Sequence, residues 1–220
     1  MRLKATILLL FLFSCISNQV FSQISLGFRG GISSSSVSYR YQLGRSALSA
    51  DGIRDFTYAF VIEYFGQKNA GLQMEIQSIT LGYIQQNDSL GINQSEWNYL
   101  KVPILSNFYF GNRGRFHIKI GPHFGYLLNA VDVSREFENP PTGLPSYGQE
   151  GDDPRRFMYG LNLGAGLSNL FGKSTLAGDV RLAYEFGRPE SQDRIFDMNS
   201  TTLEISLTYL FLVKKRKGQN

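Results

Sequence analysis

From about residue 24 to residue 212 the chain repeats one pattern, in which apolar side chains alternate with polar or small ones over ten or so residues. In "FTYAFVIEYF" (56–65), Phe56, Tyr58, Phe60, Ile62 and Tyr64 share one side. In "GLQMEIQ" (71–77), Leu72, Met74 and Ile76 oppose Gln73, Glu75 and Gln77. "YLKVPILSNFYF" (99–110) sets Leu100, Val102, Ile104, Phe108 and Phe110 against Lys101, Pro103, Asn107 and Tyr109. "FHIKIGPHFGYLL" (116–128), "MYGLNLGAGL" (158–167), "LAGDVRLAYEF" (176–186) and "LEISLTYLF" (203–211) continue the theme, and a glycine-rich stretch near 24–38 precedes them. A period of two belongs to a β-strand whose faces meet different surroundings. The pattern therefore predicts eight strands, and no stretch after residue 22 has a clear helical period.

The connections decide the class. They fall at 39–55, 66–70, 87–96, 111–115, 130–156, 169–174 and 188–200, alternately long and short. Transmembrane barrels have that asymmetry, with short periplasmic turns and long outward loops. In hydrocarbon every backbone N–H and C=O must be paired within the protein, so β-structure spans a membrane only as a closed barrel. The expectation is an all-β, eight-stranded antiparallel transmembrane barrel of the outer-membrane type, with both termini on the short-turn side. Apolar positions then face lipid, the opposite parity faces the lumen, and aromatic residues near strand ends form interfacial girdles. Pro103 and Pro122 each remove a ladder donor, which predicts a local bulge at each.

Composition supports this reading: 17 Phe, 12 Tyr and 23 Gly suit strands and turns. Residues 1–22 read as a cleaved secretory signal, with Arg2 and Lys4 before the apolar run "ATILLLFLFSCI" and a small-ended site at Ser22. The barrel domain then covers 23–213 and a basic tail 214–220. The single cysteine, Cys15, lies inside the signal, and "LFSC" offers a rival lipidation site there. The net charge of +4 rests on Arg2, Lys4 and the run Lys214, Lys215, Arg216 and Lys217, and the body between them is slightly acidic. A nucleic-acid binder concentrates basic residues on one surface; this body does not.

Carried through all strands, the parity puts Arg29, Glu63, Glu75, Lys101, Lys119, Asp179, Arg181, Glu185 and Glu204 in the lumen, with Gln73, Gln77 and Asn162. An eight-stranded interior is only wide enough for its own side chains. Unpaired buried charges cost several kcal/mol each, so the expectation is a paired charge network, with a narrow gated pore as the functional alternative. His117 and His123 share the lumen parity, but six residues separate them by about 20 Å along a strand, too far to chelate one ion. His117, beside a short turn, is expected at the wetted periplasmic rim. His123 is the candidate base should the protein be an outer-membrane lipid-modifying enzyme. "GLSNLFGKST" (166–175) has one residue too many between its glycines for a phosphate loop, and it ends a strand instead of opening a helix. No metal or cofactor site is expected. The 130–156 loop, rich in acids and prolines, reads as a solvated outward loop.

The runs "YLKVPILSNFYFG" (99–111), "IKIGPHFGYLL" (118–128) and "GLQMEIQSITLGY" (71–83) resemble the PorT-type outer-membrane β-barrel family of Bacteroidota, a similarity extending over most of 24–212. The resemblance implies eight strands in the bacterial outer membrane and, through the founding member, a tie to protein secretion. It brings no catalytic residues. The expected partners are outer-membrane lipid and envelope or secretion-machinery proteins. The "KKRKGQN" end departs from the usual barrel that stops at an aromatic residue near its C-terminus.

Overall fold

The computed structural model describes residues 23–40, 50–67, 69–87, 91–136, 146–148, 154–186 and 197–214. The signal segment with Cys15 and the tail beyond Lys214 lie outside these. Eight strands form the structure: β1 Gln23–Arg40, β2 Ala50–Phe65, β3 Ala70–Asn87, β4 Gly91–Gly111, β5 Gly114–Arg135, β6 Phe157–Phe171, β7 Ser174–Glu185 and β8 Asp197–Lys214. Each pairs antiparallel with its sequence neighbour, and β1 pairs with β8 to close the barrel. Closure leaves no sheet edge along the membrane-spanning part, as hydrocarbon requires.

The exterior is apolar. Phe28, Tyr58, Leu72, Ile104, Ile120, Leu163, Val180 and Leu207 are all exposed. A soluble protein would not tolerate such a continuous band. Rings collect towards its margins: Phe124, Phe157, Tyr159, Phe186 and Tyr184 form an unbroken chain of contacts near the outer margin. Phe110 and Phe116 meet near the periplasmic margin. Along the outward parity the band stops abruptly, at Ile32 before Ser34, at Phe56 before Arg54 and at Leu100 before Asn98.

The periplasmic hairpins are tight. β6 and β7 are joined by Gly172 and Lys173 alone, and Gly172 sits at φ 63°, where only glycine is comfortable. Such positive angles match the twist of the flanking strands. Gly111 precedes the Asn112–Arg113 turn at φ 114°.

Two expectations are corrected. The strict alternation of loop lengths fails at 87–96, because β3 continues to Asn87 and β4 resumes at Gly91. β2 and β5 likewise extend beyond their expected outer ends, so the β1–β5 wall rises above the membrane while β6 and β7 stop near its margin. The physical reason is that alternation marks a lipid–lumen contrast, and above the membrane a strand can continue without it. The bulges expected at Pro103 and Pro122 are also absent. Register is the same on both sides of Pro103 in β4–β5, and Pro122 pairs in register with Leu161. The shifts instead fall between Ile24 and Ser25, Gly52 and Tyr58, Gln94 and Ser95, and Asn98 and Tyr99.

Candidate functional site: the charged lumen

All nine charged residues assigned to the inner parity lie in the lumen, and none is more than 3% exposed. Glu75 stands at the centre of their contacts. Arg181 grips it with two parallel bonds, Nη1 to Oε2 and Nη2 to Oε1, both 2.9 Å. β3 and β7 are four strands apart in a ring of eight, so this pair is a strut across the barrel's diameter. A fork-shaped guanidinium matches two carboxylate oxygens better than an ammonium can. Arg29 lies 3.1 Å from the same carboxylate through Nε and donates to Glu204 at 2.7 Å. Gln77 also donates to Glu204, at 3.0 Å. Gln73 donates to Glu75.

Two further clusters flank this centre. Lys119 meets Asp179 at 2.7 Å, and the same carboxylate takes His117 Nε2 at 2.7 Å. Lys101 donates to Glu185 at 3.0 Å, Thr202 adds a bond, and His123 Nε2 lies 3.8 Å away. Glu63, nearer the periplasmic end, has Asn107 at 2.8 Å and the Tyr109 hydroxyl at 2.9 Å as donors. The guanidinium of Arg115 covers the Tyr109 ring, 4.1 Å from its centroid.

The histidines therefore stand in different settings, and His117 departs from expectation. It is fully buried, not wetted at the rim. Its ring points to Asp179 and packs on Tyr109. Glycines on β6 make room for both rings: His117 pairs with Gly166 and His123 with Gly160. Asn162 is buried between them.

Towards the outer mouth the lumen turns apolar. Trp97, Tyr83, Tyr99, Leu127 and Met158 pack with Tyr147, which comes from the long loop after β5. Tyr147 meets the Trp97 ring edge-on at 5.5 Å. Its backbone is tied to Asp132 twice: Asp132 N donates to Tyr147 O at 3.1 Å, and Tyr147 N donates to the Asp132 carboxylate at 3.1 Å. Ser95 donates to that carboxylate at 2.6 Å. Sequence reasoning missed this plug. Its one local signal is an aromatic residue isolated in "LPSYGQ", a stretch otherwise built for turns.

Chemically, the lumen is a set of cross-braces beneath a buried aromatic cluster. The lumen carboxylates other than Glu63 each have a cation within 4 Å. Among the described residues no group of three or more His, Cys, Asp or Glu is placed to hold a metal ion. A closed barrel with a lipid-facing exterior and a packed polar interior is the architecture of an outer-membrane β-barrel protein.

The family of outer membrane protein beta-barrel domains matches residues 17–188, and the chain belongs to it. Among solved structures, OprG from Pseudomonas aeruginosa superposes with a TM-score of 0.52 at 13% identity, over 85% of this chain and 95% of that one. Neisserial surface protein A gives 0.51 at 9% identity, over 86% and 96%. AlkL, determined in lipid bilayers, gives 0.51 at 17% identity, over 87% and 91%. At these identities the likeness is one of fold. No curated protein matches the chain. The family places the protein in the bacterial outer membrane.

Proposed function

We infer that the protein is a non-enzymatic structural and interaction component of the outer membrane, exported through cleavage of residues 1–22. The observation that carries this reading is the Glu75–Arg181 strut beneath the Tyr147–Trp97 plug. With the lumen braced and capped, the loops and outer wall are what the protein offers to others. A role in protein secretion or envelope assembly follows from the PorT-type resemblance of 71–83, 99–111 and 118–128, and the partners are then proteins of that machinery. Purification from mild-detergent membranes, with identification of the retained proteins, tests it. Recovery of envelope or secretion proteins is the expected result; bulk porins and lipid alone would remove the secretion link. Stable single-channel openings in planar bilayers would favour a pore instead.

A further inference from the structure

The lipid-facing wall made by β6, β7, β8 and β1 is indented. It carries two grooves of about 570 and 470 Å³, which share Leu167, Gly178 and Leu207. Together they run up the outside of the barrel, from Gly114 and Asn169 at the periplasmic end to Gly30 and Ile32 further up the wall. The register explains the trough. Leu207 pairs with Gly178 on one side and Gly30 on the other, so no side chain rises beside it. A narrow apolar trough of this length suits an acyl chain better than a broad face would.

The lower end of the trough meets positive charge. Asn169 is exposed there, opposite Gly114. Arg113 lies in the β4–β5 turn, held beside β6 by the bond from Leu170 N to Arg113 O at 3.1 Å. Lys173 lies in the β6–β7 turn, held beside β8 by the bond from Leu212 N to Lys173 O at 2.8 Å. Both side chains are exposed. Among the described residues, the acids that reach solvent are Asp51, Asp55, Glu96, Asp132 and Glu136, all at the opposite end of the barrel. Basic clusters at a membrane surface attract anionic headgroups.

We propose that this wall binds an anionic phospholipid of the periplasmic leaflet, with its phosphate at Arg113, Lys173 and the Asn169 amide and one acyl chain in the trough past Gly178. This rests on the orientation of the barrel and is independent of any secretion partner.

The test is reconstitution of the full chain in nanodiscs of equal phosphatidylglycerol and phosphatidylcholine, followed by native mass spectrometry of the lipid retained on release. Wild type should keep phosphatidylglycerol with several-fold preference. Arg113→Gln with Lys173→Gln should abolish the preference. Gly178→Leu should lower total retention by filling the trough; the nearest atom to a Cβ there, Leu207 Cδ2, is 3.7 Å away, so the side chain has room. Heat-modifiable migration on SDS gels verifies that each variant is folded. Equal retention of the two lipids by wild type would overturn the proposal. So would an unchanged preference in the double variant, or its full loss on removing residues 215–220 alone.

Discussion

The imidazole of His123 on β5 occupies the space that a side chain at Gly160 on β6 would need. A Cβ at Gly160 would lie 2.5 Å from His123 Cε1 and 2.1 Å from the Tyr184 carbonyl oxygen. The same arrangement recurs six residues along each strand, where a Cβ at Gly166 would lie 2.6 Å from His117 Nε2. Gly160 and Gly166 of "MYGLNLGAGL" are thus the counter-shape of the two lumen histidines. Gly160→Val should destabilise the barrel by about 1–3 kcal/mol, the usual cost of overpacking. Adding His123→Ala should recover only part of that, because the Tyr184 oxygen remains in the way. Urea unfolding of the refolded barrel in detergent checks both values. Full recovery in the double variant would show that the imidazole alone sets the constraint.

Glu75 holds two arginines, and this makes the two ends of its ion pairs unequal. Removing Arg181 leaves Glu75 beside Arg29 at 3.1 Å. Removing the Glu75 charge leaves Arg181 without its bidentate partner and Arg29 with Glu204 alone. Breaking a buried pair from one side costs about 3–5 kcal/mol. Glu75→Gln should therefore lie at the upper end of that range and Arg181→Gln at the lower. Replacing both by Met should cost less than Glu75→Gln, since no buried charge is stranded. Equal losses in the two single variants would contradict the role of Arg29.

The protein contains one tryptophan, and it lies in the plug. Trp97 is only 1% exposed, with Tyr147 against one edge and Tyr83 against another. Tyr147→Ala should red-shift its emission and raise its quenching by acrylamide, with unfolding in urea little changed. Asp132→Ala removes the carboxylate that accepts from Tyr147 N and Ser95, and it should produce the same optical change more weakly. An unaltered spectrum in both would mean that the loop does not shield the mouth in solution.

How much of this was legible in the chain depends on what each feature responds to. Lipid and a polar lumen differ so sharply that alternation alone assigns Lys101 and Phe108 to opposite walls. Above the membrane both faces of a strand can meet water, so Asn93, Gln94 and Ser95 read as loop although β4 runs through them. Partner choice is not local at all. Glu75 and Arg181 are 106 residues apart and meet because of strand number and register, which no short motif encodes. Gly160 and Gly166 could have been matched to His123 and His117 by their common spacing of six. The plug could not, since its contacts come from the way a long loop folds back.

The position of the membrane's outer boundary is the last point that substitution can decide. Ile32 and Ser34 share the outward parity of β1, and Leu163 lies near the middle of β6 at 52% exposure. If the apolar band is the hydrocarbon thickness, an arginine at Leu163 meets lipid at mid-depth and costs about 2–4 kcal/mol, while one at Ser34 meets the interface and costs about 0–1 kcal/mol. The side chain at Arg54, which natively occupies the equivalent level on β2 opposite Ser34, shows that the level accepts a guanidinium. Folding of Leu163→Arg and Ser34→Arg into vesicles, followed by denaturant titration, measures the difference. A gap of two or more kcal/mol between them is expected. Equal and small costs would mean that the exposed band does not contact hydrocarbon, and the transmembrane reading of this barrel would fall with it.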